Sequence, residues 1–270
     1  MDNPFPDPLM TGKRGLILGV ANKNSIAWGI AKILAAHGAE LAFTYMGDAF
    51  GKRVIPLAQS LGAELVLPCD VEDISSVDAV FERLKDEWGQ LDFIVHSIGY
   101  SNKEELKGLY ANTSRENFIQ TMVISCFSFT ELARRAAALM PDGGTMLTLT
   151  YEGSTKVMPN YNVMGLAKAG LESSVRYLAS DYGARGIRVN AISAGPMRTL
   201  AGAGIADARA MFNFQQAHSP LRRTVSQDDV GGAALYLLSE LSGGVTGGVH
   251  FVDAGYNIIC TPRPDQLSQD

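Results

Sequence analysis

Arg14-Gly-Leu-Ile-Leu-Gly-Val20 is apolar on both faces, and the chain from there to Leu41-Ala-Phe-Thr-Tyr45 decides the fold. A strand with one wet face alternates apolar and polar residues; a run without alternation reads as a strand buried on both faces, as in a parallel sheet. Between the two runs lies a helix-forming segment from Ser25 to His37, with Ser25 at the N-cap position and Gly38 as its stop.

The alternation continues outward from this unit. Ala49 to Leu61 reads as a second helix ended by Gly62, Glu64 to Leu67 as a third strand, and about Ser75 to Trp88 as a third helix. Leu91-Asp-Phe-Ile-Val-His-Ser97 reads as a fourth strand, followed by a long helix from about Ser114 to Met140. Then come a strand over Thr145–Thr150, a helix over Asn160–Tyr182, a strand over Ile187–Ser193, a helix over Gln227–Leu238 and a short strand over Gly248–Val252. Strands and helices in strict alternation, joined by right-handed crossovers, predict an α/β protein: a doubly wound parallel sheet of Rossmann type with helices on both faces. No internal repeat or linker divides it, so residues 14–260 are expected to form a single domain. A flexible lead (1–13) and a polar, proline-bearing tail (261–270) are expected to flank it.

Composition narrows the function classes. Over 270 residues the chain is 46% hydrophobic and 19% charged, with a formal charge of −5 and a pI near 5.4. An acidic balance argues against a nucleic-acid binder, which needs a basic face to neutralise phosphates. No apolar run approaches the roughly 18 residues of a membrane span. The start, Met1-Asp-Asn-Pro-Phe-Pro-Asp-Pro, lacks the basic and apolar regions of a signal peptide, so a cytoplasmic location is expected. Cys69, Cys126 and Cys260 are too scattered for a disulfide framework, and His37, His96, His218 and His250 show no ligand spacing, so no metal is expected. His96 is read as a hydrogen-bonded structural residue.

Ligands of such a sheet bind beyond the carboxyl ends of its strands. The first strand runs into Gly19-Val-Ala-Asn-Lys-Asn-Ser25-Ile26, where small residues and a helix start can receive a pyrophosphate. A tight β–α turn would account for that segment equally well. Asp70, in Cys69-Asp70-Val71, can accept from an adenine amino group; Ser97-Ile98-Gly99 brings a glycine beside a ribose or ring. Ser193-Ala-Gly-Pro-Met-Arg-Thr199 offers backbone to a carboxamide. Each alone reads as loop chemistry; together they lie on one edge of one sheet. The second strand ends Thr44-Tyr45-Met46-Gly47-Asp48, with no Arg or Lys for a 2′-phosphate before Lys52 and Arg53, which favours NADH over NADPH.

Tyr161-Asn-Val-Met-Gly-Leu-Ala-Lys168 carries the chemistry. Read as helix throughout, it puts Tyr161 and Lys168 on one face, about two turns and roughly 10 Å apart. An ammonium nearby would lower a phenol's pKa from about 10 and make it a better acid.

These segments, with Pro159-Asn-Tyr-Asn-Val-Met-Gly-Leu-Ala-Lys168, His96-Ser-Ile-Gly and Arg188-Val-Asn-Ala-Ile-Ser-Ala-Gly-Pro-Met-Arg-Thr-Leu-Ala201, resemble the short-chain dehydrogenase/reductase superfamily. Within it they resemble a divergent branch, the bacterial NADH-dependent enoyl-[acyl-carrier-protein] reductases, over about Gly15 to Tyr256. Ordinary members place a tyrosine four positions before the lysine; here that position is Met164, which cannot protonate anything.

The resemblance implies that Tyr161 donates to the substrate carbonyl oxygen, that Lys168 holds the nicotinamide ribose, and that Tyr151 is a second active-site tyrosine. It assigns cofactor contacts to Gly19, Ser25, Ile26, Met46, Asp70, Val71, Ile98, Met197, Arg198, Thr199, Leu200 and Ala201, and a substrate-side position to Ser101. It also makes residues of about 197–223 a lid over the acyl chain, with Arg198, Arg209, Arg222 and Arg223 as candidate docking charges for an acidic carrier protein. A homotetramer is implied, and Val123, Phe127, Leu132, Leu171, Val175 and Leu178 are expected to give its helices apolar residues beyond one face. Glu152, a charge beside the implied acyl site where relatives usually have a small or apolar residue, has no explanation at this level.

Overall fold

A computed structural model describes residues 8–199 and 208–261. Seven parallel strands form one sheet in the order β3-β2-β1-β4-β5-β6-β7. They are β1 (Arg14–Leu18), β2 (Glu40–Tyr45), β3 (Val66–Pro68), β4 (Phe93–His96), β5 (Gly144–Thr150), β6 (Ile187–Ala194) and β7 (Val249–Val252). The helices are α1 (Ile26–Ala36), α2 (Gly47–Ser60), α3 (Ile74–Trp88), α4 (Arg115–Met122), α5 (Ser128–Ala138), α6 (Val163–Gly183), α7 (Ala208–His218) and α8 (Gln227–Leu238).

The double burial predicted for the first strand is present residue by residue. Leu16 and Leu18 enter a core shared with α3, α5 and α6, while Ile17 between them enters a second core with α1, α2 and α8. Register carries the pattern across the sheet: Leu16 lies between Ala42 and Ile94, and Ile17 between Phe43 and Val95. At roughly 1.5–3 kcal/mol for each large apolar side chain buried, these two layers dominate the stabilisation.

Four expectations change. The long helix over 114–140 is interrupted, because Val123–Phe127 forms a π-helical segment between α4 and α5. The helix expected from Asn160 begins at Val163, since Asn160 and Asn162 have φ of 57° and 40°, which no α-helix accommodates. A further helix, α7, occupies part of the expected lid. Residues 8–13, expected within a flexible lead, are packed: Met10 is fully buried and its N–H donates to the carbonyl of His37 at 2.9 Å. Residues 1–7, 200–207 and 262–270 lie outside the described residues, so Leu200, Ala201 and most of the expected tail do too. No helix among the described residues is long and apolar enough to cross a membrane.

Candidate functional site at the carboxyl edge of the sheet

The strand order reverses between β1 and β4, and a doubly wound sheet opens its crevice at that point. The backbones there are in close contact. Gly19 has φ of 97°, and a Cβ on it would lie 2.0 Å from the carbonyl oxygen of Ser97, so the β1 and β4 ends approach this closely only because residue 19 is glycine. Ser25 holds the N-cap position of α1, but its side chain does not cap the helix. Its hydroxyl accepts from the N–H groups of Ala21 (2.9 Å) and Asn22 (3.2 Å), folding the loop back; Trp28 N–H donates to the Ser25 carbonyl at 3.1 Å, which leaves the N–H groups of Ile26 and Ala27 to whatever binds in front. Ile26 opens that helix.

Around the crevice, the other expected contacts fall at strand ends. Asp70 and Val71 follow β3; one Asp70 oxygen accepts from the N–H of Glu72 at 3.0 Å. Met46 is exposed at the start of α2. Ile98 and Gly99 follow β4, and a Cβ on Gly99 would meet only Lys168 Nζ and Ser125 Oγ, both at 3.9 Å. That opening beside a lysine and a hydroxyl fits a dinucleotide's ribose. Met197, Arg198 and Thr199 follow β6, and the Arg198 guanidinium lies over the Phe212 ring of α7 at 5.3 Å. Arg223, by contrast, is taken up by Asp229 through two contacts of 2.6 and 2.8 Å and is not free as a docking charge.

Lys168 lies within α6, buried, with Nζ donating to the carbonyl of Leu149 at 2.8 Å. Burial lowers its pKa to about 8, opposed by Cys126 and Glu172. Tyr161 does not share its helix: it sits in the turn before α6, between the two left-handed asparagines. Its ring fits because residue 153 is glycine, where a Cβ would stand 2.5 Å from the ring. The Tyr151 ring meets it edge-on, with centroids 5.2 Å apart and an interplanar angle of 74°. Lys168 does not depress the phenol, as the sequence suggests it should. Burial first, then Tyr151 and Glu172, hold Tyr161 well above the ordinary tyrosine range, so it stays a neutral hydrogen-bond donor. Tyr151 is likewise pushed up to about 12 by burial, and its hydroxyl accepts from Gln215 Nε2 of α7 at 3.2 Å.

Several residues that sequence reasoning passed over hold this arrangement. Ser125, in the π-helical segment, accepts from the N–H of Tyr100 and donates to its carbonyl, both at 2.9 Å, and so fixes the chain just past Gly99. Such segments often mark functional sites, yet Val123-Ile-Ser-Cys-Phe127 gives no sequence sign of one. Glu172 accepts from Thr150 at 2.7 Å, one turn beyond Lys168; its spacing of four from the lysine was a readable signal. Asn162 Nδ2 donates to the carbonyl of Glu105 at 3.1 Å, pinning the loop beyond Ser101 to the tyrosine turn. Ser101 itself is occupied: Thr121 donates to it at 2.9 Å, and it donates to Asn117 at 3.3 Å. His96 is fully buried, with Nδ1 and Nε2 bonded to Thr148 and Ser128 at 2.8 and 3.0 Å; burial lowers its pKa to about 3.

Known proteins are similar to this chain over nearly its whole length. The family profile described as "Enoyl-(Acyl carrier protein) reductase" matches residues 19–257. The chain is 71% identical to enoyl-[acyl-carrier-protein] reductase [NADH] 2 of Rhizobium meliloti, over 96% of this chain and 97% of that protein. Among solved structures it is similar to FabI from Candidatus Liberibacter asiaticus (TM-score 0.94, 60% identity, 96% of this chain and 100% of that one). It is also similar to the enoyl-(acyl-carrier-protein) reductase of Anaplasma phagocytophilum in complex with NAD (TM-score 0.92, 55% identity, 96% and 99%). With likeness of this extent, and a tyrosine turn set before a buried lysine where an ordinary short-chain dehydrogenase would have its tyrosine at residue 164, the chain belongs to the enoyl-(acyl carrier protein) reductases of the short-chain dehydrogenase/reductase type.

Proposed function

We propose that the chain reduces the trans-2 double bond of enoyl thioesters with NADH, the last step of a fatty-acid elongation cycle, with Tyr161 and Lys168 dividing the work. The observation that carries the division is the separation of the two side chains into different backbone elements: a neutral phenol in a turn, edge-on to Tyr151, and an ammonium inside α6 facing the opening at Gly99. NADH, when bound, supplies hydride to Cβ. Tyr161 then donates a hydrogen bond to the thioester carbonyl oxygen as negative charge grows there, and a proton taken up at Cα, from solvent or through the same tyrosine, completes the reduction. Its environment is dry, so one preorganised donor acts more strongly than it would in water. Lys168 Nζ has further donors beyond the one given to Leu149, and these hold the ribose. Tyr151 lines the thioester side. Gly19, Ser25, Ile26, Met46, Asp70, Val71, Ser97, Ile98, Gly99 and Met197 to Thr199 form the cofactor edge, with α7 and its flanks as the lid.

Delivery of the substrate on acyl carrier protein belongs to the same proposal, as does a cytoplasmic location. Three free cysteines, two of them buried, fit a reducing compartment. A homotetramer belongs to the proposal too, though of the residues read in the sequence only Phe127 is exposed. Leu132, Leu171, Val175 and Leu178 are spent in the chain's own core; Phe118, Ile119, Phe127, Leu166 and Tyr177 are the exposed apolar residues of α4, α6 and the π-helical segment. β7 is an open edge strand. A species of monomer mass sedimenting with full activity would defeat the tetramer.

The enzymatic test is NADH oxidation with crotonyl and acetoacetyl coenzyme A thioesters, repeated with NADPH. Turnover of crotonyl but not acetoacetyl thioester is expected. Preference for the ketone would move the chain to carbonyl reduction despite Met164.

A further inference from the structure

Glu152 is a buried carboxylate next to Tyr151, with 4% of its surface exposed, and the reaction proposed above does not use it. Its Oε1 is paired with Lys156 Nζ at 2.5 Å, one turn further on. The same Nζ donates to the carbonyl of Asn257 at 2.8 Å, in the short 3-10 turn Tyr256–Ile258 after β7. That turn is tied together by hydrogen bonds of its own. The Asp253 carboxylate accepts from the N–H groups of Gly255 and Asn257, both at 2.8 Å, and from Asn257 Nδ2 at 3.2 Å. The Tyr256 ring meets Phe214 of α7 edge-on, with centroids 6.5 Å apart. The residue after Phe214 is Gln215, whose amide holds the Tyr151 hydroxyl.

These contacts close a ring through three segments far apart in sequence: 151–156, 214–215 and 253–257. α7 is fastened to the tyrosine pair on one side by Gln215 and to the C-terminal turn on the other by Phe214. The turn is fastened to the tyrosine loop by Lys156, and Lys156 is oriented by Glu152. We propose that Glu152 and Lys156 are positioning residues: a latch that sets how closely α7 lies over the acyl chain and thereby which chain lengths the enzyme favours. The inference rests on the enoyl-reductase reading.

The chemistry of the pair fits a latch. Lys156 is half exposed and has a flexible stem, so it forms a directed contact only because a buried anion holds it. A short acyl group ends at the tyrosines, where α7 contributes Gln215; a long one must run on beneath the rest of α7. The latch therefore acts chiefly on long substrates.

The test compares four- and twelve-carbon trans-2-enoyl coenzyme A thioesters. Lys156→Met cuts both contacts but strands a buried carboxylate, so the decisive protein is the double variant Glu152→Gln/Lys156→Met, which removes that charge as well. Its KM for the twelve-carbon thioester is expected to rise about tenfold, the size of one lost charge-assisted hydrogen bond. Its kcat, its KM for the four-carbon thioester and its KM for NADH should stay within about twofold of the parent on the same scale. Lys156→Arg, which keeps both contacts, should keep the parent's KM values. An equal rise for both thioesters and NADH, or no rise, would overturn the latch. An unmodified enzyme inactive on both thioesters would instead overturn the reading beneath it.

Discussion

The two halves of the site are built by different means. The cofactor half is made of strand ends: Gly19, Asp70, Ser97 and Met197 follow β1, β3, β4 and β6 within three residues, and the sheet fixes their positions. The acyl half is made of departures from regular structure. Tyr161 stands in a turn with two left-handed asparagines, Ser125 in a π-helical segment, and Tyr151 between a strand and a 3-10 turn. A sheet edge is a surface on which a common cofactor can be bound. Irregular backbone is how a particular pair of tyrosines is aimed at a particular substrate atom, since strained conformations persist where the surroundings over-determine them.

That division makes the largest prediction. Tyr161→Phe removes a donor from the acyl half and leaves the cofactor half intact. Turnover of crotonyl thioester should fall about 10²–10³-fold, while NADH affinity, measured by fluorescence titration, stays as it was. An unimpaired variant would shift the donor's role to Tyr151. A parallel loss of NADH affinity would show that the halves are one unit.

Lys168 sharpens the comparison from the other side, with a smaller effect. Losing a charged donor to the ribose should weaken NADH binding about ten- to a hundredfold in Lys168→Met, without any substrate present. Burial has already brought the lysine to about pH 8, so its charge is complete below that value and is lost as pH rises through it. NADH affinity of the unmodified enzyme should therefore weaken above about pH 8, and this limb should be missing from Lys168→Met. The neighbouring tyrosines do not confuse the reading: Tyr151 is held near 12 and Tyr161 is also raised, so both stay neutral through that window. A flat affinity profile from pH 7 to 9.5 would remove the ammonium from cofactor binding.

The same contrast explains what the sequence could and could not yield. Strands buried on both faces announce themselves as unbroken apolar runs, and every strand of the sheet lay within two residues of its expected bounds. The helix at Gln227–Leu238 was legible to the residue, and in the structure Ser226 and Asp229 form a capping box at its start. Tyr161 was legible as a residue but not as a geometry. Helical periodicity runs smoothly through Asn160 and Asn162, and only the cluster Pro159-Asn-Tyr-Asn162, all turn-forming types except the tyrosine, hinted that the helix starts later. Of the ring through Glu152, Lys156, Asn257 and Gln215, only the spacing of four between Glu152 and Lys156 is local; its closure was out of reach, since contacts 101 and 64 positions apart leave no local pattern.

Asn162 gives the smallest effect and the finest test of how the acyl half is aimed. It does two things: its backbone takes φ of 40° and ψ of −122°, and its amide pins Glu105. Glycine adopts that backbone freely but has no amide; alanine has neither advantage. Asn162→Gly should therefore cost about 1–2 kcal/mol, the amide's hydrogen bonds to the Glu105 and Gly108 carbonyls, and change turnover little. Asn162→Ala should cost about 1–2 kcal/mol more, the left-handed penalty of a residue with a Cβ. Strain relieved by moving the turn would also displace Tyr161, so alanine should lower kcat a few-fold, a shift of under about 1 kcal/mol in barrier, where glycine does not. Urea midpoints and steady-state rates on the two variants separate the contributions. Equal stability and equal kcat for glycine and alanine would mean that the left-handed turn is not what aims the phenol, leaving the Gly153 contact and the Tyr151 ring to do so.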